Sequence, residues 1–201
     1  MSELSNTHTH REAWLNAAAA KMGQWFTSAG YPLPAELRMT CGFPITGARA
    51  GARSHRIGEC WDPKASGDHT TEIMISPVLE EPMRVFGTLV HELVHAAVGC
   101  DCGHKGPFKK LAVAVGFIGK MTSTEEGPEF IKMAGPILEA LGPYPHAAID
   151  TRNRKKQGTR LMKAVCEDEE CGFTVRITRK WVEAVGAPHC PAHGEMAVYA
   201  K

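Results

Sequence analysis

Two histidines four residues apart, with a glutamate directly after the first, constrain this chain more than any other stretch: His91-Glu92-Leu93-Val94-His95. On a helix that spacing sets the imidazoles about 40° apart around the axis, close enough to grip one ion, with Glu92 about 60° further round. Around a wheel drawn from 84 to 98, Arg84, Thr88, His91, Glu92 and His95 share one sector of roughly 100°. Val85, Phe86, Leu89, Val90, Leu93, Val94, Ala96 and Ala97 fill most of the remainder. A helix apolar over so wide an arc is buried, and a carboxylate with two imidazoles inside it is costly without a partner such as a metal ion. The pattern points to the metal helix of a zinc-dependent hydrolase, a peptidase before other kinds.

Two histidines leave such a site incomplete. Gly99 reads as the stop of the helix, and Cys100-Asp101-Cys102-Gly103 as a tight turn that delivers His104 before Pro107 opens another helix. His104 is therefore the expected third ligand, with Asp101 as the second choice. The spacing H-E-x-x-H-x-x-G-x-x-H would need Gly at Val98 and His at Asp101, and fails at both. A glutamate ligand about 20 residues on, as in thermolysin-like enzymes, meets only Ala-Val-Gly-Phe-Ile-Gly. Cys100 and Cys102 read as ordinary reduced thiols rather than ligands.

The run His91-Glu92-Leu93-Val94-His95-Ala96-Ala97, followed by Gly103-His104-Lys105-Gly106-Pro107-Phe108, resembles the SprT-like zincins, the family of the Spartan-type DNA-protein crosslink proteases. The likeness extends, as a pattern, over most of residues 9 to 193. It implies an α+β fold with zincin-like helices packed on a small antiparallel or mixed sheet, then a small β zinc ribbon. It implies a metallopeptidase of protein substrates, and it tilts the choice of partners toward DNA.

Residues 10–29 carry Trp14, Leu15, Ala18, Met22, Trp25 and Phe26 at helical spacing, and 37–43, 56–61 and 71–76 read as extended pieces of a sheet beside the metal helix. Glu80-Glu81-Pro82 starts that helix, with acids at its positive end and Pro early. Helices follow at 108–115 and 129–141. Cys41, Cys60, His55, His69 and His146 read as structural. No apolar run reaches the roughly 18 residues of a membrane span, and Met1-Ser2-Glu3-Leu4-Ser5-Asn6 lacks the form of a signal peptide, so a cytoplasmic protein is expected. Seven cysteines, an odd number clustered near histidines, suit reduced thiols and metal better than a disulfide framework.

The composition shifts after Gly142-Pro143-Tyr144-Pro145, which divides the chain into a domain at 1–145, a basic linker at 146–160 and a ribbon at 161–201. Cys166-x4-Cys171 and Cys190-x2-His193 form two close ligand pairs with 18 residues between them, the arrangement of a closed structural zinc site in which an intervening β-hairpin joins two knuckles. His189 competes with His193 for the fourth place. Phe173, Val175 and Ile177 alternate with polar residues as a strand does. Residues 1–150 hold 13 basic and 16 acidic side chains, whereas 151–201 hold 10 and 6, so the tail can lean on phosphates through Arg152, Arg154, Lys155, Lys156 and Arg160, or these are a solvated spacer.

The expected cofactors are thus two zinc ions, one catalytic and one structural. Three neutral imidazoles leave the first a position for water, whose pKa it lowers towards about 7, and Glu92 takes the proton of that water and returns it to the leaving amine. Tyr31, Tyr144, Tyr199 and several arginines are candidates for steadying the oxyanion. Two other readings stand beside the peptidase: a nucleic-acid-binding zinc protein with a vestigial site, against which the intact Glu92 speaks, and a zinc hydrolase of a non-peptide amide.

Overall fold

The computed structural model describes residues 8–45, 56–153 and 161–199, with the side chain of Arg152 outside that set. Arg154, Lys155, Lys156, Arg160 and His55 also lie outside the described residues. The chain is α+β and divides into two compact units, 1–151 and 152–201.

The first unit is organised by its apolar periodicity. Helix α1 (Arg11–Ser28) buries Trp14, Leu15, Ala18, Met22 and Phe26 completely, a stripe repeating every three to four residues. Strands β1 (Leu37–Cys41), β2 (Gly58–Trp61) and β3 (Thr71–Ile75) form a mixed sheet in the order β1-β3-β2. β1 runs parallel to β3 in the register Met39↔Ile73, and β2 runs antiparallel to it with Cys60 opposite Ile73. Ile73 and Ile75 alternate with half-buried neighbours and point into the core. The central strand therefore carries the apolar face while β2 is left as an edge.

Helix α2 (Pro82–Val98) lies in the middle of this core. Its start is fixed by Glu81, whose carboxylate accepts from the N–H groups of Met83 (2.9 Å) and Arg84 (2.6 Å), with Pro82 supplying a helical φ. Its end is fixed by Gly99, at φ +87, a conformation that a side chain resists. α3 (Pro107–Ala114), a hairpin of β4 (Phe117–Lys120) and β5 (Ser123–Glu126), and α4 (Pro128–Leu141) complete the unit. Phe86, Phe117 and Phe130 pack as one aromatic cluster, with the rings of Phe117 and Phe130 stacked at 4.7 Å.

The unit reaches past the expected boundary at 145. Ile149 donates its N–H to Pro77 O (2.9 Å), Ala148 to the Glu80 carboxylate (2.8 Å), and Arg11 donates to Ala147 O (2.6 Å). These bonds strap 147–149 onto the first unit, so the stretch expected to begin a free linker is part of the domain.

The second unit is a small sheet in the order β10-β6-β7, from β6 (Leu161–Val165), β7 (Thr174–Thr178) and β10 (Ala197–Tyr199), with α5 (Arg179–Val185) and a short pair of β8 (His189–Cys190) and β9 (Gly194–Glu195). Val175 and Ile177 turn toward Ala164 and Met196, while Phe173 remains 39% exposed. The connection between the ligand pairs is not the single hairpin expected. Each pair sits at the turn end of its own hairpin, Cys166 and Cys171 between β6 and β7, Cys190 at the end of β8 and His193 in the turn before β9, and α5 lies between the two pairs.

Candidate metal centres

Both ligand sets expected from spacing come together. In the first unit His91 and His95 project from α2, and the turn after Gly99 folds back so that His104 Nε2 lies 3.2 Å from the Nε2 of each. Tetrahedral zinc with bonds of about 2.0–2.1 Å would set its nitrogen ligands about 3.3–3.4 Å apart, so the three imidazoles already stand at the spacing of one ion's coordination shell. Phe108 floors the cluster, its ring 4.3–5.0 Å from those of the three histidines. Burial presses the pKa of His91 down to about 3 and of His95 to about 4, and lowers that of His104 as well. All three rings are therefore neutral at physiological pH, with lone pairs free to bind a cation.

Asp101, the second choice, is not in this group: its side chain is 91% exposed and meets Lys64 at 3.8 Å. Cys100 and Cys102 are not in it either. Cys100 faces Cys60, and Cys102 lies 3.3 Å from Gly99 O.

His91 is fixed by a contact that spacing does not reveal. Its Nδ1 lies 3.0 Å from Thr124 Oγ1, on β5 and 7% exposed. With an ion on Nε2, Nδ1 would carry the proton and donate it to the threonine, and the contact fixes the plane of the ring. The hairpin holding Thr124 is tied to α2 a second time, by Arg84 to Glu126 at 3.2 Å. Thr88 spends its hydroxyl on Arg84 O, at 2.8 Å.

Glu92 lies beside the cluster, buried on α2, and no hydrogen bond joins its carboxylate to another described residue. Burial pushes its pKa up to about 8, against the pull of the Arg56 charge, which favours the carboxylate. β2 passes directly over it: a Cβ at Gly58 would stand 2.5 Å from Glu92 Oε1 and 2.8 Å from Thr88 Cγ2, so only glycine leaves the carboxylate its place. The cluster and Glu92 open onto a cleft of about 860 Å³ whose walls include Arg56, Gly58, Arg84, Cys100 and Ser123. Neither Tyr31 nor Tyr144 lines it. Tyr144 is buried edge-on against Trp14 at 5.1 Å, and Tyr31 packs against the core.

In the second unit the donor atoms of Cys166, Cys171, Cys190 and His193 lie within 4.8 Å of one another. Cys171 and Cys190 sulfurs are 3.7 Å apart, and His193 Nδ1 is 3.4 Å from Cys166 and 3.8 Å from Cys190. Zinc bonds of about 2.3 Å to sulfur give a sulfur-sulfur edge of about 3.8 Å, so this set also fits one ion, and all four positions come from protein. His193 takes the fourth place, and His189 stands outside the group on β8. The backbone N–H groups of Ala192 and His193 lower the Cys190 thiol to about 7.

No family model, no curated protein and no solved structure matches this chain. Among the described residues no helix is long and apolar enough to cross a membrane.

Proposed function

We propose that the first unit is a zinc metallopeptidase of the SprT-like kind, acting on protein substrates, and that the second is a zinc ribbon with a structural ion. The observation that carries the reading is the convergence of three imidazoles, with His104 Nε2 3.2 Å from the Nε2 of each of the other two, beside the buried Glu92 on the wall of an open cleft. A purely structural site has no use for a carboxylate in that place, and its own protein ligands would close it. The cleft, of about 860 Å³, has room for a short segment of substrate chain.

His91, His95 and His104 would hold the ion in the cleft, and Cys166, Cys171, Cys190 and His193 the other. Zinc in the cleft supplies a Lewis acid that polarises a substrate carbonyl and makes water more acidic. Glu92 is the general base: it takes a proton from the attacking water and returns it to the leaving nitrogen. Burial raises the pKa of Glu92 to about 8, and the charged form that a base needs is favoured by Arg56 and would be favoured further by a cation held on the three histidines; Thr124 would keep His91 in the tautomer whose Nε2 faces that ion. The apolar helix and Phe108 exclude water behind the ligands.

Association with DNA rests on the excess of cations in 151–201 and on Arg152, Arg154, Lys155, Lys156 and Arg160. The seven cysteines, all free, suit a cytoplasmic protein.

The zinc-replete chain is incubated with a panel of proteins, with and without DNA, beside the Glu92→Gln variant. Glu92→Gln should keep both ions and the fold yet lose hydrolysis by at least about 10²-fold. Turnover undiminished in that variant would remove the peptidase mechanism.

A further inference from the structure

Two thiols that neither ligand set uses face each other at the cleft. Cys60 lies on β2 and Cys100 opens the single helical turn Cys100–Cys102 that follows α2. Their sulfurs are 3.7 Å apart, in van der Waals contact, although 40 residues separate them in sequence. Both are half-buried and both line the cleft, so a small solute reaches them. Cys41 and Cys102 have no thiol neighbour of this kind: the first faces Arg11 Nη1 at 3.6 Å and the second faces backbone carbonyls.

We propose that Cys60 and Cys100 are an oxidisable pair, a modification site at which a peroxide closes a disulfide between β2 and the turn that delivers His104. The Cys100 thiolate attacks one peroxide oxygen, the O–O bond breaks, and water leaves after protonation, with Cys100 as the sulfenic acid. Cys60 sulfur then attacks Cys100 sulfur, the S–O bond breaks, and a second water leaves. Two thiols and one hydrogen peroxide become one disulfide and two waters, with the sulfurs oxidised and the peroxide oxygens reduced. The asymmetry of the pair suits these roles. The hydrogen bond with Cys60 lowers the pKa of Cys100, and the same bond, with burial, raises that of Cys60.

Closure has a consequence for the neighbouring centre, and this part rests on the reading of His91, His95 and His104 as metal ligands. A disulfide of about 2.05 Å draws the sulfurs about 1.7 Å closer. β2 is held along its length by β3 and packs on α2, whereas the turn is tied by two bonds of its own, Gly103 N–H to Cys100 O (3.2 Å) and Lys105 N–H to Cys102 O (3.3 Å). The turn therefore takes up most of the movement, and with it His104, four residues from Cys100.

The reduced, zinc-loaded full chain is treated with hydrogen peroxide, digested without reductant and mapped by mass. The expected product is a Cys60–Cys100 linked peptide, reversed by a thiol reductant, and zinc exchange from the cleft about tenfold faster than in the reduced protein, measured with a chromophoric chelator. Cys60→Ser should give no link and leave Cys100 trappable by a sulfenic-acid reagent, with exchange unchanged by peroxide. No linked peptide while both thiols remain alkylatable, or a link that leaves exchange unaltered, overturns the proposal. The link is read by mass alone, so failure of the metal reading appears separately, as a reduced protein with no exchangeable zinc.

Discussion

Replacing Thr124 by Val tests whether the hairpin is part of the metal site. Thr124 Oγ1 stands 3.0 Å from His91 Nδ1 and the residue is 7% exposed, so bulk solvent does not freely replace the lost hydroxyl. Valine keeps the branched shape and the strand, but it leaves the Nδ1 proton without an acceptor in a buried place, at a cost of about 1–3 kcal/mol. Outer partners of metal-bound histidines are worth about 10–100-fold in metal affinity, the same range, since tenfold is about 1.4 kcal/mol. Zinc affinity of the cleft should thus fall 10–100-fold in Thr124→Val and by less than about threefold in Thr124→Ser, which retains the hydroxyl. Competition against a chelator of known affinity measures it, with the closed ribbon site as an internal reference that neither variant should change. A valine variant that binds like the parent, or valine and serine variants equally weakened, would refute the argument, since the first denies the bond a role and the second traces the loss to packing.

Elemental analysis of the zinc-replete protein should find two ions, one removed readily by chelator. His104→Ala should lose the exchangeable ion and Asp101→Ala keep it, as follows from the exposure of Asp101 and its contact with Lys64; the opposite result exchanges their roles. Gly58→Ala places a methyl group 2.5 Å from Glu92 Oε1, which forces the carboxylate aside. Overpacking of this size costs about 1–3 kcal/mol of stability, seen as a lower unfolding midpoint. Hydrolysis should drop about 10²-fold with both ions retained, as a misplaced catalytic group predicts; full turnover in the alanine variant would place Glu92 outside the chemistry.

The parts of the site that sequence discloses are those whose geometry is set by near neighbours in the chain. His91, Glu92 and His95 lie on one helix, and their relation follows from its pitch; Gly99 at φ +87 stops that helix, which is why His104 was legible nine residues beyond His95. The alternation of Ile73 and Ile75 marked the central strand for the same reason. The hairpin of β4 and β5 was not legible: its strands are four residues each, Ile118 is 48% exposed, and the turn at Met121-Thr122 lacks the Asn-Gly or Asp-Gly that announces a two-residue loop. Thr124 consequently carried no sign of its place on His91, 33 residues away. α5 is similar, a single short helix without a side-chain cap and without a buried residue, so no periodic stripe betrays it. Gly58 against Glu92 and Cys60 against Cys100 are further cases of elements brought together by the core rather than by the chain. Periodicity thus specifies which side chains a helix or strand can present together, while the packing of α2 under β2 and beside the hairpin decides what orients and confines them. The candidate metal ligands belong to the first kind of information, and the residues placed around them to the second.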